Sequence, residues 1–141
     1  MSLNKVTTVN NCRNIDLSTI KILGLEATHA ELGIKKPVIY YFIGDNEMLK
    51  VNRGSLGHDT YTDIITFDYE EDLDVENNEI LISWDRVVEN AKTFNESLKN
   101  ELHRVCIHGL LHLAGHNDQS DKEKQKMRAL EDKYISLYCS M

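Results

Sequence analysis

Cysteine is scarce and odd in number. The 141 residues hold three, at Cys12, Cys106 and Cys139. No disulfide framework or disulfide partner is expected, and each thiol reads as a small buried apolar group in a reducing compartment. Proline occurs once, at Pro37, so there is no proline-rich linker, and no internal repeat or low-complexity segment accompanies it. No run of about 18 apolar residues is present, which excludes a membrane-spanning helix of ordinary length. Met1 to Cys12 is polar and mixed and lacks the charged-then-apolar pattern of a secretory leader. These absences predict a cytoplasmic protein folded as a single domain over residues 1–141, long enough to bury a hydrophobic core. Aromatics make up 7%, and no paired stacking tyrosines stand in a basic strand, the usual nucleic-acid platform.

Positive charge is also short: the formal net charge is -7. The excess is local. Asp68, Glu70, Glu71, Asp72, Asp74, Glu76 and Glu79 form a run without a base, and outside it 16 acids face 16 bases. An acidic balance ordinarily argues against a polyanionic partner. Here the repulsion is confined to one stretch, which reads as a solvated loop.

Periodicity supplies the elements. Ser18 is expected to cap a helix running to about Leu32, with Ile20, Leu23, Leu25, Ala27 and Leu32 as its apolar members and Gly33 as its stop. Asn10 to Ser18 reads as a loop. Val38 to Ile43 is a β-branched and aromatic run, a buried strand. A turn at Gly44 and Asp45 precedes a short helix over about Asn46 to Ser55. Thr62 to Tyr69 and Glu79 to Ser83 are two further strands, joined by the acidic run in a long hairpin-type connection. Trp84 to Phe94 and Ser97 to Ala114 read as helices, the second ended by Gly115. Ser120 and Glu123 form a capping box before a last helix with the stripe Met127, Leu130, Tyr134, Leu137, Tyr138 and Met141. The predicted class is α+β: a small mixed sheet packed with helices.

The chemistry concentrates in His108-Gly109-Leu110-Leu111-His112-Leu113-Ala114-Gly115-His116-Asn117-Asp118. Two histidines four apart lie on one helix face, so both imidazoles can reach one metal ion, as on the metal-binding helix of zincins. A glycine then lets the chain turn back. The preferred third ligand is Asp118, at +10 from His108, with His116 as the alternative. Three protein ligands with an open position describe a catalytic rather than a structural zinc. The skeleton is that of the metzincin pattern His-Glu-x-x-His-x-x-Gly-x-x-His. It departs where Gly109 replaces the glutamate that serves metallopeptidases as general base. That argues against proteolysis.

The run His108-Gly109-x-Leu111-His112-Leu113-x-Gly115 resembles the motif of the YbeY endoribonucleases, metal-dependent RNases of bacterial rRNA maturation. Asp59-Thr60-Tyr61-Thr62-Asp63, leading into a strand, is similar to that family's second motif, and Glu79-Ile80-Leu81-Ile82-Ser83 to its following strand. The resemblance covers about Val38 to Glu131. It implies a single-strand-specific endoribonuclease with one zinc ion, acting on small-subunit (16S) rRNA 3′ ends and in ribosome quality control, with rRNA and the ribosome or its small subunit as partners and no membrane. That family usually carries a histidine at the place of Asp118, and an arginine at the place of Leu56. Arg53 and His58 are therefore the catalytic candidates for contacting phosphate or donating a proton. Asp63 or Asp59 is expected to orient a ligand histidine. Lys50, Arg53, Arg86 and Lys92 are expected RNA contacts. Two rival readings are a zincin-type metallopeptidase and a non-catalytic ribosome-associated factor with a structural metal.

Overall fold

A computed structural model describes residues 5–12, 15–56 and 62–140. His58, Asp59 and Met141, which carried expectations above, lie outside the described residues. The chain runs β1 (Val6–Asn10), α1 (Ile22–Glu31), β2 (Val38–Ile43), α2 (Asp45–Leu56), β3 (Ile64–Phe67), β4 (Asn78–Ser83), α3 (Trp84–Thr93), α4 (Leu98–Leu113) and α5 (Asp121–Tyr134), ending in a π-helical turn, Ile135–Cys139. The sheet order is β1-β2-β4-β3. β1 and β4 both pair parallel to β2, and β3 pairs antiparallel to β4 with Ile64 opposite Ile82. The class is α+β with a mixed sheet, as the pattern predicts, and the acidic run is the β3–β4 connection. No described helix is long and apolar enough to cross a membrane.

Strand alternation sorts the two faces. Val38, Tyr40 and Phe42 of β2 and Ile80 and Ile82 of β4 are fully buried. They pack with Leu102, Val105, Cys106, Leu110 and Leu111 of α4 and with Leu25 of α1 in one core. The other face is smaller: Met48 and Val51 of α2 lie over Tyr41, Ile65 and Leu81. Tyr40 donates from its hydroxyl to the Cys106 carbonyl at 2.8 Å, which satisfies the one polar atom it buries. Cys106 and Cys139 are buried, and burial pushes the Cys139 thiol up to about 11.

Four expectations need correction. β1 was read as part of a polar N-terminal stretch, yet Val-Thr-Thr-Val is β-branched, and Val38 N–H donates to the Lys5 carbonyl at 2.8 Å to start the pairing. Helix α1 begins at Ile22 rather than near Ser18, because the Ser18 N–H is turned onto the Asp16 carboxylate at 2.9 Å. Leu23, counted among its apolar members, is 81% exposed. In the C-terminal stripe, Met127 and Tyr134 are buried, but the π turn adds a residue to the repeat. Ile135 and Cys139 therefore face inward, and Leu137 and Tyr138 face out.

The acid-rich connection is organised rather than merely solvated. The Lys36 ammonium donates to the carbonyls of Tyr69, Asp72 and Val75. Glu70 accepts from the backbone N–H groups of Lys35 and Lys36 and from the Asn78 side chain. One cation and one carboxylate thus tie the loop to the start of β2.

Candidate metal centre

Helix α4 carries the two histidines because its inner face is tied to the sheet. Ser97 caps it, its hydroxyl accepting from Asn100 N–H at 3.0 Å. Gly109 marks its closest approach: a Cβ there would stand 2.7 Å from Ile80 Cδ1 and 3.1 Å from Ile64 Cδ1. The glutamate of a metallopeptidase motif would point into the core at this position. Gly115, with φ +95°, then reverses the chain. Gly115 N–H donates to the His112 carbonyl and His116 N–H to the Leu111 carbonyl, both at 3.0 Å, a Schellman closure. The two residues after His116 carry the chain back over the helix, and Ser120 with Glu123 caps the start of α5 in both directions.

This turn brings the carboxylate of Asp118, rather than the ring of His116, to the histidine pair. His108 Nε2 lies 3.0 Å from His112 Nε2 and 3.2 Å from Asp118 Oδ2, and His112 Nε2 lies 3.6 Å from Asp118 Oδ1. Ligands held about 2.0–2.1 Å from a tetrahedral ion are separated from each other by about 3.3 Å. With the nearer Asp118 oxygen taken for each ring, the separations bracket that value, and His108, His112 and Asp118 could hold a metal ion. Their side chains are 20%, 30% and 37% exposed, so the cluster faces solvent.

Glu131, which sequence reasoning did not assign to the site, stands behind it. Its Oε2 accepts from His108 Nδ1–H at 2.7 Å and its Oε1 from Arg104 Nη1 at 3.2 Å. Arg104 also reaches Asp132 at 2.8 Å. With its proton on Nδ1, His108 presents an Nε2 lone pair to the cluster. Burial lowers the basicity of His108, but the Glu131 hydrogen bond and the charges of Glu131, Asp118 and Asp63 outweigh it and raise its pKa. Burial and the charge of His108 hold His112 below the usual histidine value. The signal for Glu131 was available: it stands on the Met127–Leu130–Tyr134 side of α5, where a charged residue has to find a buried partner.

The carboxylate bonded to His108 is thus Glu131, whereas Asp63 accepts from Asn90 Nδ2 at 3.4 Å. Asp63 does face the same space. Burial raises its pKa against the lowering charge of His108. The cluster lies between two clefts. One, of ≈ 330 Å³, includes Asp63, Glu101, Arg104, His108, Asp118 and Glu131. The other, of ≈ 300 Å³, is formed by Ile64, Thr66, Asp68 and His112. Arg53 is exposed on α2 and lines neither. Arg86, expected to contact RNA, is instead bonded to Asp45 at 3.1 Å.

A sequence profile of the family described as "Endoribonuclease YbeY" matches residues 4–138. This chain belongs to the YbeY endoribonuclease family. An "Endoribonuclease YbeY" of Cytophaga hutchinsonii is 51% identical over 98 residues, 70% of this chain and 68% of the relative. One of Phocaeicola vulgatus is 48% identical over 100 residues, 71% of this chain and 72% of the relative. A Thermotoga maritima protein solved in solution superposes with a TM-score of 0.67 at 27% identity, covering 93% of this chain and 87% of its own. Membership in the YbeY family agrees with the histidine motif and with the order of the strands that frame it.

Proposed function

We propose that this chain is a single-strand-specific, zinc-dependent endoribonuclease holding one ion on His108, His112 and Asp118, with small-subunit rRNA 3′-end maturation and ribosome quality control in the cytoplasm as its role. The observation that carries this reading is the convergence of three candidate ligand side chains on one point in a chain of the YbeY family. When bound, the zinc would supply a Lewis acid to a phosphodiester and a more acidic water. The chain's own groups do the rest. Glu131 fixes the His108 ring and its tautomer. Gly109 keeps the helix against the sheet so that both rings hold their spacing. Asp63 offers a carboxylate of raised pKa in the adjoining cleft, where a proton can be held.

The exposure of the cluster and its two clefts favour catalysis over a structural metal, which is ordinarily closed off by its ligands. The seat of Gly109 against Ile80 disfavours a peptidase, since an acid there would have to displace the Ile80 and Ile64 side chains and would point into the core. The test is cleavage of a labelled single-stranded RNA by the purified protein and by His112→Ala prepared identically. Activity lost in the folded variant, removed by chelation and restored to wild type by zinc supports the proposal. Equal cleavage by both proteins, or none by either, overturns it.

A further inference from the structure

We propose that the cleft between α3 and α5 is a nucleotide subsite for single-stranded RNA, where Phe94 stacks on a base and Lys124 and Arg128 hold neighbouring phosphates. The proposal rests on the ribonuclease reading above and adds the side from which the strand reaches the metal centre.

The cleft is built from three helices. Its floor is α4, with Glu101, Arg104, Val105 and His108 on one face at helical spacing. One wall is Asn90 of α3 and, four residues on, Phe94. The other is α5, where Lys124, Met127, Arg128 and Glu131 follow at three, one and three residues. At ≈ 330 Å³ it lies at the small end of ligand pockets. His108 and Asp118 are among its lining residues, so an occupant adjoins the metal ligands.

The lining holds four carboxylates, Asp63, Glu101, Asp118 and Glu131, and three cations, Arg104, Lys124 and Arg128, and its exposed charges are Lys124 and Arg128. Glu101, Arg104 and Glu131 are buried, and Arg104 pairs with Glu131 and Asp132. Lys124 and Arg128 are exposed on the rim, one helical turn apart. Phe94 is 60% exposed, a large apolar ring left open to water opposite them. An aromatic face beside paired cations is the combination that holds single-stranded nucleic acid without reading its sequence. Among the described residues, the lining of the other cleft has no lysine or arginine to offset its acid. Asp68 lines the cleft at His112 and begins the acid-rich β3–β4 connection, which Lys36 fixes through its carbonyls while Glu71, Asp72 and Asp74 stay exposed. A polyanion is repelled there and attracted to the α5 rim.

The experiment compares Lys124→Gln/Arg128→Gln with Lys122→Gln/Lys126→Gln, which removes the same charge from the same helix but from residues outside the cleft. Binding of a labelled single-stranded RNA is followed by anisotropy in chelator, so that nothing is consumed, and KM and kcat are measured on the zinc-loaded protein. The cleft pair is expected to weaken binding, raise KM with kcat little changed, and flatten the slope of log K against log salt by about 1.4, about 0.7 for each lost contact. The outer pair should remain near wild type. Phe94→Ala is expected to weaken binding about 5- to 150-fold with the salt slope unchanged. A series of RNAs with one abasic position moved along the strand supplies a check on the unaltered protein. One position should weaken wild-type binding and leave Phe94→Ala indifferent. Cleavage with KM and slope unchanged in the cleft variants, equal effects of the cleft and outer pairs, or no sensitive abasic position overturns the subsite and leaves the ribonuclease reading standing. Failure of zinc-loaded wild type to bind or cut any single-stranded RNA overturns both.

Discussion

Replacing Glu131 with glutamine sets two buried donors against one amide. The carboxylate accepts from His108 Nδ1 at 2.7 Å and from Arg104 Nη1 at 3.2 Å, and the residue is 5% exposed. A carboxylate can accept at both oxygens, whereas glutamine has one oxygen and one NH₂. With the oxygen toward His108, the NH₂ meets a guanidinium that cannot give up a proton. With the oxygen toward Arg104, the NH₂ meets Nδ1, and the ring escapes the clash only by moving its proton to Nε2, the atom that faces His112 and Asp118. The second arrangement costs a tautomer change; the first leaves a buried donor unpartnered, at about 1–3 kcal/mol. For a chain of this length that is a fall in Tm of about 4–12 °C. The second arrangement also blocks a ligand atom, and loss of such a partner typically weakens metal binding about 10- to 100-fold. Thermal melts in chelator read the first effect, and isothermal titration with zinc reads the second. A glutamine variant that melts with wild type and binds zinc equally well would refute the reasoning.

Three further outcomes are expected. His103 is buried, its Nε2 accepting from Lys21 N–H at 2.8 Å and its Nδ1 donating to the Lys99 carbonyl at 2.7 Å. Burial first, then the charges of Lys99 and Lys21, lower its pKa against the raising effect of that carbonyl. Its contribution is therefore whole above the unfolded value of about 6.5 and is lost as pH falls from there through the folded pKa. Urea unfolding of His103→Leu should show a deficit of about 1–3 kcal/mol at pH 8 that narrows toward pH 5, and a constant gap would count against this. Gly24→Ala places a Cβ 2.3 Å from the Tyr138 carbonyl oxygen, a backbone atom that cannot step aside, whereas Gly54→Ala meets nothing within 4 Å. In urea the first should lose about 1–3 kcal/mol and the second gain about 0.5–1 kcal/mol. Lys36→Met removes the donor shared by three loop carbonyls and should expose residues 68–77 to limited proteolysis well before the rest of the chain.

The histidine pair, its helix and the return turn were legible because each rests on local spacing: four residues for a shared face, a glycine for the reversal, a capping box for the next helix. The central strands were legible from their unbroken apolar runs. β1 was not, since two adjacent threonines and an asparagine make it read as polar and its edge position needs only Val6 fully buried. The π turn escaped because one additional residue in a repeat leaves no mark in hydrophobicity, although Gly24 is there to admit the Tyr138 backbone. Glu131 and Arg104 escaped for a different reason. The place of Glu131 on the apolar side of α5 marked it as buried, but its pairing with Arg104, 27 residues away, is visible only once two helices have packed.

The partners of the histidine pair all lie downstream of it in the chain. His108 and His112 leave the ribosome first, Asp118 follows, and Glu131 is 23 residues behind the ring it holds. At ordinary elongation rates that is an interval of about 1–5 s. During it the nascent chain carries two imidazoles with no carboxylate to set their tautomers and no α5 to wall the cleft. Until α5 has packed, the pair therefore lacks the carboxylate that fixes the His108 ring.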